Sequence, residues 1–302
     1  MGGDDGRDGD DDPEAASDAP EPAPDDPVGE ESITEGSLLR PLFRLAWPIV
    51  VIQLLQVTYN IVDTLYLGRL SAEAVGAISL AFPLIFLLIA VAGGFTTAGA
   101  ILVAQYTGAD GEGSAGLVAG QTIFTVSVLS VLIGIGGYFY TRPALEILPS
   151  DAETAATVIP LAADYMEVIF AGIPLMFGFF VFSALMRGYG DTRTPMAVMF
   201  ISVLLNVLLD PFFIFGFEGN PLFEWLAAVP GLAALDPVAL EATLLSATGV
   251  TGIGIQGAAL ATILSRGVAT AIGLWILFGT GYGPDVTLGH LAPDLDFIRD
   301  IF

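Results

Sequence analysis

Five side chains stand out by type and by setting: Asp63, Asn206, Asp210, Thr262 and Arg266 are polar or charged, yet each lies well inside a run of apolar residues. An ionisable group held in hydrocarbon costs about 2.5–3.5 kcal/mol even on insertion scales, so such a group is a functional candidate from the outset. Asp63 lies 19 residues beyond Arg44, and Asp210 lies 17 residues beyond Arg193, in two spans expected to run the same way across the membrane. At about 1.5 Å per helical residue the two carboxyls reach nearly the same depth and can face one cavity. Asn206 precedes Asp210 by one helical turn and shares its face, and Thr262, on a span running the other way, comes to the same level. Two carboxylates, an amide and a hydroxyl suit a hard cation such as Na⁺, which takes oxygen ligands. A proton would serve the same groups, because two carboxyls brought together in lipid do not both stay charged at low cost. The alternative for Asp63 and Asp210 is a packing role, paired with Arg266 or with backbone; Asn206 and Thr262 can equally tie helices together. Arg266, one turn beyond Thr262, is expected to meet a carboxylate or to snorkel to the cytoplasmic interface.

The elements that must carry these groups are six apolar stretches, near Phe43–Leu67, Ala77–Gln105, Gly116–Tyr140, Val158–Met186, Pro195–Gly216 and Gly252–Phe278. Each exceeds the roughly 20 residues that a bilayer-spanning helix needs. The expected fold class is therefore all-α integral membrane, a six-transmembrane-helix bundle. Polar turns separate the spans at Asp110–Ser114 and Pro149–Asp151, and Thr194 with Pro195 reads as a helix cap followed by a first-turn proline. The interval 217–251, broken by Glu224, Pro230, Asp236, Pro237 and Glu241, reads as an outer loop with a short amphipathic helix from Pro237 to Ala247. Pro48, Pro83, Pro160 and Pro174 fall inside spans, where each removes a backbone donor and permits a kink or a hinge. Asp164 and Glu167, at the outer end of the fourth span, are expected at the membrane boundary.

Three regions follow: an acidic, disordered cytoplasmic tail over 1–36, the six-helix lobe over 37–283, and the start of a linker over 284–302. Fourteen of the 33 acidic residues lie between Asp4 and Glu35, with too little apolar area there to offset chain entropy. The chain has 9 basic residues, all Arg, and a net charge of −24, which excludes nucleic acid as a partner and suits a salt-loving host. The absence of cysteine excludes disulfides and thiolate metal sites. The single His290 lies outside the spans, and no nucleophile and base are paired within them, so the chain does not read as an enzyme. Six Arg residues flank the spans on the side that holds the amino terminus and two on the other, which places the amino terminus in the cytoplasm of a multi-pass plasma membrane protein.

The residues from about Leu42 to Ile301 resemble the multidrug and toxic compound extrusion transporters, in their archaeal and bacterial branch. The likeness rests on Trp47-Pro48, on Asp63-Thr64-Leu65-Tyr66-Leu67-Gly68, on Asn206-Val207-Leu208-Leu209-Asp210-Pro211 and on Gly257-Ala258-Ala259-Leu260-Ala261-Thr262. Most specific is the stretch Leu185-Met186-Arg187-Gly188-Tyr189-Gly190-Asp191-Thr192-Arg193-Thr194-Pro195-Met196. The resemblance implies one lobe of a twelve-helix transporter that expels drug-like, often cationic, compounds in exchange for Na⁺ or H⁺, with no other cofactor. It carries the cation site onto Asp63, Asn206, Asp210 and Thr262. Gln56 and Tyr165 become cavity-lining residues, and Pro48 the hinge of the first helix. The partners it implies are lipid, a small-molecule substrate, and a second lobe or a second copy of this one. A lipid-linked sugar flippase of the wider superfamily, or a non-transporting fragment or assembly subunit, is the rival reading.

Overall fold

The computed structural model describes residues 39–109, 112–147 and 151–294. The expected acidic tail, Asp110 and Gly111 of the first polar turn, Pro149 and Ser150 of the second, and residues 295–302 of the expected linker lie outside the described residues, while Glu112–Ser114, expected in the first turn, already belong to a helix. Among the described residues, six helices have the length and apolarity to cross a membrane. They are α1 (Leu39–Leu70), α2 (Ala72–Thr107), α3 (Glu112–Glu146), α4 (Ala152–Tyr189), α5 (Arg193–Phe215) and, after an excursion, α8 (Ile255–Gly279). No strand interrupts them among the described residues; one isolated bridge joins Gly216 to Thr251. The spans expected from hydropathy are all present, and most run several residues past the limits read from the sequence. The helix of 38 residues at α4 would measure about 57 Å, well beyond the hydrocarbon core. Hydropathy marks only the part in lipid, whereas backbone hydrogen bonding continues until a cap stops it.

The caps are local and specific. Asp151 opens α4 with Oδ1 accepting from the amides of Glu153 at 3.0 Å and Thr154 at 2.9 Å. These hydrogen bonds hold its carboxyl below the usual carboxylate range, the Thr154 amide contributing most. At the other end, Gly190 takes a left-handed φ of 98°, its amide donates to Arg187 O, and the amide of Asp191 reaches back to Met186 O. That pattern is a Schellman stop, in which glycine avoids the Cβ clash. Asp191 then starts α5, its Oδ1 accepting from Arg193 N at 2.8 Å and Thr194 N at 3.1 Å. The capping oxygen is thus three residues earlier than the expected Thr194, because the stop and the start share one tight turn. Tyr282, beyond α8, donates its hydroxyl to the other oxygen of Asp191 at 3.0 Å and fixes that turn from outside. Partial burial, and then Asp191 itself, push the Tyr282 hydroxyl to a higher pKa than usual.

The close-packed frame consists of α2 and α3 against α4, with α8 between α4 and α5. Glycines permit the tightest approaches. A Cβ at Gly257 of α8 would meet the carbonyl oxygen of Phe213 on α5 at 2.2 Å, so only hydrogen fits there. The final carbonyls of α5, left without helical partners, accept instead from Ile253 and Gly254 at 2.9 and 3.1 Å. The excursion 217–251 therefore leaves and returns at one point. It contains α6 (Pro221–Ala228), a short 3₁₀ turn at Ala233–Leu235 and α7 (Pro237–Thr248). The helix expected at Pro237–Ala247 is there, but it is not amphipathic, since its apolar residues are spread around the axis and Val238 and Leu240 are exposed. The second helix, α6, was not expected. Asp164 and Glu167 are partly exposed, as expected of a membrane boundary, and share Arg142, at 3.1 and 3.7 Å.

Helix α1 differs from the frame. It makes no comparably close backbone approach to another described helix, and its outward residues Leu54, Val57, Ile61 and Leu65 are all more than half exposed. Its far end is held by side chains, with Arg69 bonded to Glu224 of α6 at 3.1 Å and stacked 5.3 Å from the Trp225 ring. The segment after α8 is docked where it is described, because Gln121 of α3 donates to His290 O and Ala292 O at 2.8 and 2.6 Å.

Two expectations follow. G257A should force α5 and α8 apart and lower stability by about 1–3 kcal/mol, the usual cost of overpacking. G93A, which points into open space, should be close to neutral by thermal unfolding in detergent, and equal midpoints for the two would contradict the packing described. Because the carboxyl of Asp151 is held low in the folded state, its capping contribution is present above about pH 4 and is lost as pH falls through the lowered value. Hydrogen exchange should therefore speed up at Glu153 and Thr154 in D151A near neutral pH, while D151N keeps most of the protection without the pH dependence.

Candidate functional site

Helix periodicity puts Gln56, Tyr59, Asn60 and Asp63 on one face of α1, at successive turns opposite the lipid-facing Val57, Ile61 and Leu65. On α5 the buried stripe is Met199, Ser202, Asn206 and Asp210, each fully excluded from solvent, while Phe200, Ile201, Leu204 and Leu208 face out. On α8 Thr262 and Arg266 are buried one turn apart. The proximity of α8 to α5 that Gly257 allows brings these three stripes together.

Asp63 faces Asp210 and Asn206 across the α1–α5 boundary. Asn206 donates its amide to Asp210 Oδ1 at 3.0 Å. What is left over defines the site. Oδ1 of Asp63, Oδ1 of Asn206, Oδ2 of Asp210, Oγ1 of Thr262 and the hydroxyl of Tyr59 are all buried and complete no hydrogen bond of good geometry, although Tyr59 lies close to Thr262 and Asp63 close to Asp210. A buried polar atom without a partner costs about 1–3 kcal/mol, so five in one neighbourhood make this cluster a candidate binding site. Their chemistry is that of a hard cation or a proton: all are oxygens, and the described residues contain no cluster of His, Cys, Asp and Glu that would hold a transition metal.

Beside this cluster lies a narrow cleft of about 40 Å³. Asp63, Tyr59, Tyr165, Phe82, Phe86 and Arg266 are among its walls. Gln56 and Thr262 also line it. Pro48 is not part of the cleft; it is buried within an unbroken α1, two turns before Gln56.

Arg266 departs from expectation. It reaches no carboxylate within ion-pair distance and does not snorkel; its side chain is buried. One terminal nitrogen donates to Gln56 Oε1 at 2.5 Å and the other to the sulfur of Met199 at 2.9 Å. The rings of Tyr59 and Phe179 stand 5.1 and 5.2 Å from its carbon. Two rings and an amide supply what a distant carboxylate was expected to supply.

Some contributors were not singled out from the sequence. Tyr59 sits one turn before Asp63, a spacing that could have marked it. Asn220 holds the end of α5 by donating to Pro211 O at 2.9 Å and Gly216 O at 2.8 Å, while its own amide is bound by Glu241 at 2.7 Å. Pro211 has no amide hydrogen and loosens the ladder just after Asp210, so this clamp fixes the carboxyl's helix. The pair Asn220-Pro221, a cap followed by a first-position proline, was the available signal.

Comparison with known proteins gives one consistent result. The profile of the MatE family matches residues 48–212. The probable multidrug resistance protein YoeA of Bacillus subtilis is 30% identical over 197 residues, which are 65% of this chain and 42% of that protein. The probable multidrug resistance protein YpnP of Bacillus subtilis is 28% identical over 243 residues, 80% of this chain and 46% of that protein. Among solved structures, a crystal structure of MATE in complex with MaL6 superposes with a TM-score of 0.69 at 26% identity, covering 87% of this chain and 50% of that one. The chain thus spans about half the length of the relatives it matches. With six apolar helices in the arrangement of these transporters and the profile matched over more than half its length, the chain belongs to the MatE family of membrane transporters, of which it covers an amino-terminal lobe.

Proposed function

We propose that this lobe takes part in the secondary active efflux of drug-like, often cationic, compounds, in exchange for Na⁺ or H⁺. The observation that carries the reading is the cluster of five buried, unpartnered oxygens contributed by α1, α5 and α8. Asp63 and Asp210 supply the charge, and Asn206 and Thr262 supply neutral ligands. Two carboxylates held together in low dielectric repel each other unless a cation or proton lies between them. Loading therefore draws α1 toward α5, and unloading releases it.

Asp63 is carried by α1, which among the described membrane helices meets the close-packed frame through side chains rather than through extensive backbone packing. Movement of α1 is thus cheaper than movement of α4 or α8, and Pro48 supplies a weakened point about which it bends. A change in α1 alters the cleft directly, since Gln56, Tyr59 and Asp63 form one of its walls and Tyr165 faces them from α4. An ion shifts this balance only by binding one arrangement better than the other. The carboxyl pair provides that difference, because its two members sit on the mobile and the fixed side.

In the orientation given by the Arg count, the amino terminus is cytoplasmic in the plasma membrane and the excursion 217–251 faces out. Transport sites lie between two repeats in many secondary transporters, so the working unit pairs this lobe with a second one, on the same polypeptide or from another copy.

The test is transport in vesicles that contain the lobe with its second lobe, loaded with ethidium and given first a sodium gradient and then a pH gradient. One of the two gradients should drive dye movement, and D63N and D210N should each reduce it at least about tenfold while inserting normally. Undiminished transport in both variants would remove the mechanism.

A further inference from the structure

The excursion 217–251 takes no part in the carboxyl cluster, and its outer surface is apolar where a loop in water would be polar. From Val229 to Leu235 every residue is uncharged and exposed, Leu235 at 70%. Val238 and Leu240 continue this surface along α7, and Trp225 precedes it on α6, all three exposed. A contiguous apolar surface of this kind marks an interaction site. The acids of the segment do not relieve it, because they are turned to the protein itself. Glu224 is bonded to Arg69, Asp236 caps α7 by accepting from the Ala239 amide at 3.2 Å, and Glu241 accepts from the Asn220 amide at 2.7 Å. The fourth acid, Glu218, stands at the entry to the excursion, eleven residues before Val229.

The level of this surface follows from the helices that carry it. With 23 residues α5 measures about 35 Å, little more than the hydrocarbon core of about 30 Å, so Phe215 reaches the level where hydrocarbon gives way to headgroups. The excursion is pinned at that level. Phe217 N donates to Val250 O at 3.0 Å, which closes its two ends together. Glu241 ties the second turn of α7 to Asn220, whose side chain is itself bonded to Pro211 O and Gly216 O at the end of α5. On α6, the Trp225 ring lies 5.6 Å from Tyr66 near the end of α1. Tryptophan and tyrosine favour this level because each joins an apolar ring to a polar tip. The lipid-facing side of α5, exposed at Leu208 and Phe212, is continued by exposed Val250 and Ile253 on the returning segment.

We propose that residues 229–240 are seated in the bilayer interface, their partner being the lipid surface that the ends of α1 and α5 reach. The excursion contains no Lys or Arg, so apolar area holds it there and attraction to anionic headgroups does not. The inference is independent of the efflux reading. Its structural consequence concerns α1: α6 grips that helix through Arg69 and Tyr66, so seating the excursion in lipid fixes the far end of the helix that carries Asp63.

Because the chain has no cysteine, single-cysteine variants can be spin-labelled at one site each. L235C, V238C and, as a reference on the lipid-facing side of α5, L204C are placed in phosphatidylcholine vesicles that contain the lobe with its second lobe. Collisions of each label with oxygen and with a water-soluble nickel chelate are then compared. The labels at 235 and 238 should meet chiefly oxygen and read a depth of about 5–10 Å, shallower than the label at 204. Frequent collision with the chelate at both positions puts the run in water and overturns the proposal. Rare collision with either reagent, the mark of burial against protein such as the second lobe, overturns it equally. A second measurement leaves the run unaltered: in W47F/W275F the remaining Trp225 should be quenched by lipid brominated on its acyl chains, and quenching by aqueous iodide instead contradicts the proposal.

Discussion

Two carboxyl groups on different helices, both buried and both with an oxygen that nothing in the fold satisfies, are the constraint around which this lobe is organised. An apolar core alone would have placed leucine at those positions and gained stability. Keeping Asp63 and Asp210 there requires that every neighbouring contact hold two unfavourable groups in place, and the structure shows how this is done. Asn206 ties one oxygen of Asp210 from a turn away. Asn220 and Glu241 clamp the end of α5 just after it. Gly257 removes the side chain that would keep α8, with Thr262, at a distance. These contacts make the α5 half of the site rigid, while the α1 half is held chiefly by side-chain contacts. The asymmetry suits an ion-driven device, in which one member of a charged pair stays fixed and the other moves.

Much of this was legible in the sequence, for a physical reason. A charged residue in a long apolar run has nowhere to hide, so Asp63, Asp210 and Arg266 announced themselves, and counting 1.5 Å steps from the flanking Arg44 and Arg193 brought Asp63 and Asp210 to one level. Asn206 followed from the helical repeat. The six spans followed from hydropathy, since lipid leaves the backbone only a few ways to satisfy its hydrogen bonds.

What the sequence did not disclose depends on contacts between distant segments. The expected partner of Arg266 was a carboxylate, because charge neutralisation is the strongest single interaction on offer. The fold instead supplies two rings, an amide and a sulfur from α1, α4 and α5, none of which is near Arg266 in sequence. Helix α6 was missed because its eight residues mix Trp225 and Phe223 with Glu224 and show too few turns for a period to be read. The cap of α5 was placed at Thr194 because threonine before proline is a common helix start. Asp191 prevails there because the glycine stop of α4 delivers it directly beneath the free amides.

In the proposed mechanism the two carboxyls take up positive charge together. Infrared difference spectroscopy of the purified lobe, recorded on adding sodium and on lowering pH, reads carboxyl groups directly. The account predicts that one of these additions gives a carboxyl difference band in wild type that is lost in D63N and equally in D210N, since neither carboxyl forms the site alone. A band that persists unchanged in both variants would contradict it.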